Sequence, residues 1–215
     1  DGSSRDRVPR GRSDGWLCLL VLTRSANAAL APPPRGRPGS KPLVGLAYER
    51  SVYAAGADLD PDIPSPDALL GFPVGERSAS SAQIVEYAQR LAAASDRVEL
   101  VEYARTYEGR PLVYLVIASE DNLGRVDDIK ANMARLADPR AGVSQREREA
   151  IIKDTPAVAW MSYSIHGNES SGSDSALVLM HHLAADRSEA TQALLDEVVV
   201  IVDPNKNPDG RERFV

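Results

Sequence analysis

The chain has 215 residues, 43% of them hydrophobic, a formal net charge of −6 and one cysteine. That length suits one ordinary domain and the apolar share can fill a core, so disorder throughout is excluded. The acidic balance lacks the basic face that neutralises phosphates, which excludes a general nucleic-acid binder, and a lone cysteine excludes a disulfide framework.

The charge is uneven along the chain. Arg5, Arg7, Arg10, Arg12, Arg24, Arg35, Arg37 and Lys41 outweigh Asp1, Asp6 and Asp14 over residues 1–41. The apolar run Trp16-Leu17-Cys18-Leu19-Leu20-Val21-Leu22 follows this basic start, and Ala29-Leu30-Ala31 supplies an A-x-A cleavage site. This is the order of a secretory signal, and the run is too short to span a bilayer. Residues 1–31 are therefore expected to be a signal peptide that removes Cys18 and sends the protein out of the cytoplasm, to a periplasmic or secreted location, without stable membrane insertion. A basic N-terminal arm is the other reading of the same residues. Residues 32–79 contain Pro32-Pro33-Pro34 and Asp60-Pro61-Asp62-Ile63-Pro64-Ser65-Pro66, which predict a linker and an irregular extension.

A folded unit is predicted over 80–215. Ile84, Tyr87, Ala88 and Leu91 recur at helical spacing behind a serine-rich start suited to an N-cap. Val98–Tyr103 and Leu112–Ala118 read as strands joined by the turn Glu108-Gly109-Arg110-Pro111, a hairpin. A helix follows over 125–137, and Ser144-Gln145-Arg146-Glu147 has the form of a capping box for another. Ala157–Tyr163 is a buried strand candidate, helices are predicted over 172–185 and 188–195, and Val198–Val202 closes the series. Strands alternating with helices predict an α/β fold of three layers, α/β/α, around a mixed, largely parallel sheet. Because the sequence stops a short way past the last predicted strand, it is expected to be the N-terminal half of a domain.

Chemistry concentrates at Ser164-Ile165-His166-Gly167-Asn168-Glu169, where a buried strand gives way to a helix. Ligands of open α/β sheets gather at such strand ends. An imidazole and a carboxylate are both natural zinc donors, and a bend between them brings both to one ion; Gly167, lacking a Cβ, is the residue expected to make it. The same four residues also read as a solvated loop with Asn168 or Ser170 capping the helix, and Asn168-Glu169-Ser170 is a glycosylation sequon. No P-loop, dinucleotide fingerprint or nucleophile elbow occurs.

Three ordered motifs resemble the zinc carboxypeptidase family (metallopeptidase family M14). Thr106-Tyr107-Glu108-Gly109-Arg110-Pro111-Leu112 resembles its E-G-R-P-L hairpin, His166-Gly167-Asn168-Glu169 its H-x-x-E zinc motif, and Asp203-Pro204-Asn205-Lys206-Asn207-Pro208-Asp209-Gly210 its N-P-D-G turn. Leu70-Gly71-Phe72-Pro73-Val74-Gly75-Glu76 looks like the lead-in of bacterial members. The resemblance implies a carboxypeptidase-like fold and a hydrolase of peptide bonds acting on a peptide or protein substrate. It implies one Zn²⁺ as cofactor, with His166 and Glu169 as two of its ligands. The family's second histidine and its general-base glutamate lie further along, so no catalytic residue is expected within this chain and both are expected downstream of Val215. On that account the chain alone is expected to be inactive. Asn168 departs from digestive-type members, which carry arginine there, and the H-G-N-E wording is shared with zinc deacylases of the aspartoacylase group. A deacylase of N-acyl amino acids and a non-catalytic peptide- or wall-binding relative are thus the alternatives. His181 and His182 are expected to sit about 15 Å from Glu169 as an ordinary pair at the far end of a helix, where a protonated imidazole would meet the negative pole favourably. Arg211 and Arg213 read either as bidentate partners of a substrate carboxylate or as a solvated charge pair, and the second is expected.

Overall fold

The computed structural model describes residues 56–215. The expected signal peptide, and the part of the expected linker up to residue 55, lie outside the described residues.

The chain enters through a short helix, α1 (Pro66–Leu70), and then α2 (Ser81–Ala94). Ser80 and Gln83 form a reciprocal capping box at the start of α2, Ser80 Oγ accepting from Gln83 N at 3.2 Å and Gln83 Oε1 from Ser80 N at 2.9 Å. Two of the four orphan donors of that helix end are thereby satisfied. Ile84, Tyr87, Ala88 and Leu91 form its buried stripe, as their spacing predicts. The hairpin follows as β1 (Val98–Arg105) and β2 (Pro111–Ile117), with a register shift between Glu102 and Ala104. Gly109 sits in its turn at φ 82°, a left-handed conformation open to glycine at little cost.

Next come α3 (Glu120–Gly124), α4 (Val126–Ala137) and a 3₁₀ turn at Pro139–Ala141. The predicted capping box is present at α5 (Gln145–Asp154), Ser144 Oγ accepting from Glu147 N at 3.3 Å. The remaining elements are β3 (Ala157–Ser162), α6 (Ser170–Ala185), α7 (Glu189–Glu197), β4 (Val198–Asp203) and α8 (Pro208–Glu212). The last of these replaces the simple turn expected at N-P-D-G, because Pro208 at its first turn is pre-set for helix and Asn207 caps it.

The four strands lie in the order β1-β2-β4-β3. The sheet is mixed, as predicted. Among the described strands β1–β2 and β2–β4 are antiparallel and only β3–β4 is parallel, so antiparallel pairing predominates here. The cause is the connections. A tight turn forces β1 and β2 antiparallel, whereas α6 and α7 supply the crossover that a parallel pair requires.

Alternation along the central strands sorts two apolar layers. Leu115 and Ile117 of β2 join Val200 and Val202 of β4 on the face covered by α2 and α6. Val116, Ala118 and Val199 face the other way, against Ile129 of α4. Each of the large side chains buried here contributes about 1.5–3 kcal/mol of transfer free energy. The three-layer arrangement leaves the strand ends, and the loops leaving β3 and β4, at one edge.

Candidate metal centre

Strands β3 and β4 run parallel and finish together, with Ser162 opposite Asp203. Their following loops therefore open on the same edge of the sheet, the edge where ligands of such sheets bind. Two backbone bonds carry the pairing one residue further, Tyr163 N to Asp203 O at 2.9 Å and Lys206 N to Tyr163 O at 3.0 Å. The chain then has to swing from the sheet into α6 over residues 164–169.

The swing is made at Ser164, whose φ of 53° is the only positive value at a non-glycine among the described residues. A left-handed residue with a Cβ costs about 1–2 kcal/mol. Compensation is local: the Ser164 hydroxyl lies 3.2 Å from the carbonyl oxygens of both His166 and Glu169. Glu169 N donates to His166 O at 3.0 Å and closes the turn.

The turn brings the two predicted donors face to face. His166 Nδ1 is 3.0 Å from Glu169 Oε1, and the His166 backbone N–H donates to Glu169 Oε2 at 3.3 Å. Both side chains reach solvent, with exposures of 71% and 55%. The imidazole, and then the backbone N–H, hold the Glu169 carboxyl below its ordinary range. Glu169 occupies the N-cap of α6 without making a side-chain bond to the helix. Its carboxylate thus stays available for an external partner, while the positive helix end favours its charge. Neither Asn168 nor Ser170 fills that capping position.

Two ligands of a tetrahedral zinc ion at 2.0–2.2 Å stand about 3.4 Å apart. A spacing of 3.0 Å between Nδ1 and Oε1 needs a small opening, which two exposed side chains can make, so the pair fits two adjacent positions on one ion. Among the described residues, no group of three or more His, Cys, Asp or Glu is placed to hold a metal.

Gly167 takes its expected place in the turn, but glycine is needed there for another reason. Gly167 and Asn168 are the central residues of the turn closed by Glu169 N and His166 O, but Gly167 has no positive φ, so the turn does not need glycine for its backbone conformation. Glycine is required because a Cβ there would lie 1.9 Å from the carbonyl carbon and 2.4 Å from the next nitrogen of the Gly210-Arg211 backbone. The H-x-x-E loop thus packs directly on α8. Asn207 also joins the two, its Oδ1 accepting from Gly210 N at 2.8 Å and its Nδ2 donating to Ile165 O at 3.3 Å.

The hairpin motif meets the same helix. Asp209 accepts from Thr106 Oγ1 at 2.8 Å, from Arg110 Nη1 at 2.7 Å and from Glu108 N at 3.3 Å. Arg110 and Arg213 both also pair with Glu108. The three sequence motifs, far apart in the chain, therefore converge on α8.

Other charged residues fall elsewhere than expected. Arg211 is not solvated: it is 0% exposed and pairs with Asp174 at 2.7 Å. Its remaining nitrogens donate to Ala79 O at 2.7 Å and Ser170 O at 3.0 Å, which ties the segment before α2 to the start of α6. Arg213 is exposed. His181 and His182 lie near the C-terminal end of α6, away from Glu169 as predicted. His181, however, is 4% exposed, and burial pushes its pKa down, which disfavours a charged imidazole at that position.

Sequence reasoning also missed Tyr103 and Asp203. The Tyr103 hydroxyl donates to Asp203 Oδ2 at 3.0 Å across the sheet end, and burial raises the pKa of both groups. An aspartate closing the apolar run Val198–Val202 was the available signal. A hollow of about 600 Å³ lies between the 74–78 segment, the end of β3 and α6, lined by Met161, Tyr163, Ser170, Asp174, Val178 and His182 among others.

Comparison with known proteins bears on this geometry. A family model described as zinc carboxypeptidase, peptidase M14, matches residues 84–214, more than half of the chain. Carboxypeptidase 2 of Trichophyton rubrum is 43% identical over 51 residues, which are 24% of this chain and 9% of that protein. The crystal structure of carboxypeptidase A from Helicoverpa armigera aligns with a TM-score of 0.46 and 21% identity, covering 69% of this chain and 32% of that one. The chain thus spans a minor part of the length of each.

Proposed function

The chain belongs to the zinc carboxypeptidase family, and from that premise we propose that it is part of a metallocarboxypeptidase, a hydrolase that cleaves peptide bonds near a free C-terminus. In this reading His166 and Glu169 are two protein ligands of a single zinc ion. The observation that carries the proposal is the convergence of their donor atoms to 3.0 Å at an exposed bend, on the ligand-binding edge of the sheet.

When bound, zinc supplies Lewis-acid polarisation of the scissile carbonyl and an acidified water. The chain's own residues prepare the place. Ser164 sets the bend, the start of α6 favours the negative charge of Glu169, and a carboxylate kept ionised by its imidazole neighbour is ready to act as a ligand. The third ligand and the general base are assigned to residues downstream of Val215. An extracytoplasmic location is proposed from the signal-like order of residues 1–31; no helix among the described residues is long and apolar enough to cross a membrane.

Asn168, where digestive-type relatives carry arginine, keeps a zinc deacylase as the second reading. The test compares three substrates with the full-length, zinc-loaded protein: a peptide with a free C-terminus, the same peptide amidated, and N-acyl amino acids. Cleavage of the first, abolished by a chelator and by His166→Ala, is the expected result. Preference for N-acyl amino acids would establish the deacylase. Turnover indifferent to both chelator and substitution would refute either.

A further inference from the structure

We propose that Asn207 is a positioning residue for the His166–Glu169 pair, its side-chain amide holding the backbone on which the two donors face each other. The inference rests on the zinc reading above and adds a residue that touches neither metal nor substrate.

The argument starts from what the loop leaves unsupported. Within the loop, Ser164 and the Glu169 N–H engage the carbonyls of His166 and Glu169. The Ile165 carbonyl has a different partner, Asn207 Nδ2 at 3.3 Å, and the Ile165 side chain, 64% exposed, gives little apolar anchorage of its own. Ile165 is the residue immediately before His166, so rotation of the peptide between them swings the imidazole directly. The contact of Gly167 with the Gly210 backbone stops the loop from moving inward. It does nothing to stop the loop lifting away, and that direction is the one the Asn207 amide opposes.

The amide is also held on its own side. Asn207 Oδ1 accepts from Gly210 N at 2.8 Å, and this fixes the side chain so that Nδ2 points at Ile165 O. One side chain thus caps α8 and ties the metal loop to it. Metal sites need donors placed within about 0.5 Å, and loss of an outer partner commonly costs about 10–100-fold in metal affinity.

The two roles of Asn207 can be separated. Asn207→Asp and Asn207→Ser both keep an oxygen suited to cap α8. A carboxylate has no N–H to donate, and serine is too short to reach Ile165. Because the aspartate adds a charge near the site, agreement between the two variants is required.

In the full-length protein, three quantities are measured for each: thermal midpoint, hydrogen exchange at the Glu169 amide without metal, and zinc affinity by competition with a chromophoric chelator. The expected result is an unchanged midpoint, at least tenfold faster exchange, and about tenfold weaker zinc binding. Wild-type exchange and zinc affinity in both variants would overturn the proposal, and so would a lowered midpoint with exchange accelerated throughout the molecule. Zinc binding that survives His166→Ala intact would overturn the zinc reading instead, while exchange at Glu169 would still decide the role of Asn207.

Discussion

Helix α6 carries an acid–imidazole pair at each end, and the two pairs are bonded differently. At its start, the Glu169 carboxylate is hydrogen-bonded to His166 alone, through the ring and the backbone N–H. At its finish, Asp186 lies 3.8 Å from His182 Nε2 and accepts four further bonds: from Asp58 N at 2.8 Å, Ser188 N at 3.0 Å, Ser188 Oγ at 2.7 Å and Thr191 Oγ1 at 2.6 Å. Asp186 is 1% exposed, whereas Glu169 reaches solvent. Residue type therefore does not decide whether a carboxylate next to a histidine can hold an ion. The number of lone pairs already committed decides it, and those of Asp186 are spent on the fold.

The strongest way to test that contrast is to remove the saturated carboxylate. Asp186→Ala leaves two hydroxyls and two backbone N–H groups without their acceptor in a buried place. The expected destabilisation is about 3 kcal/mol, read by urea unfolding. Acidity supplies a milder version. Burial alone would raise the Asp186 carboxyl, but the bonds from Thr191, Ser188 and the backbone of Ser188 and Asp58 outweigh it and hold the group well below its ordinary range. A depressed folded pKa contributes stability that is complete above the unfolded value of about 3.9 and is lost as pH falls below it. Stability of the wild type should accordingly drop below about pH 4 more steeply than that of Asp186→Ala. Parallel acid limbs for the two proteins would show that the carboxylate is not the linchpin of this end.

Of intermediate size is the effect of a methyl group at either of two glycines near the start of α6. At Gly167 a Cβ would meet the Gly210 backbone at 1.9 Å, at Gly172 nothing closer than Ser164 N at 3.5 Å. Gly167→Ala is expected to cost about 1–3 kcal/mol through forced displacement of the loop or α8. Gly172→Ala, inside the helix, is expected to gain a few tenths of a kcal/mol up to about 1. Equal effects would mean that the approach of the loop to α8 is not a constraint.

These positions also mark how far the sequence could be read. The helix at Ser81–Ala94 was legible because its cap and its apolar stripe are local, set by residues three and four apart. That His166 and Glu169 stand side by side was legible for the same reason, since they are three residues apart, while their role as metal ligands rests on donor chemistry and is a proposal. What stayed hidden depends on neighbours distant in the chain. Nothing in Ser164 announces a left-handed backbone, nothing in Gly167 announces the Gly210 carbonyl, and an arginine in the sequence R-E-R reads as solvated until Asp174 is found against Arg211.

The smallest expected effect on stability belongs to the exposed pair itself, and it is the one that most sharpens the contrast. Glu169→Gln keeps the size of the side chain and an oxygen able to accept from the His166 backbone N–H, while it removes the charge and replaces the other oxygen by an NH2 group. Since the carboxylate is solvated in the folded protein and its bonds to His166 are exchanged for bonds to water on unfolding, the urea midpoint should not move beyond experimental error. Zinc affinity in the full-length protein should nevertheless fall at least tenfold, because a neutral amide oxygen is a poor ligand for a divalent ion that binds imidazole and carboxylate. A midpoint shift comparable to that of Asp186→Ala would place Glu169 among the structural carboxylates after all, and the two ends of α6 would then differ in exposure alone.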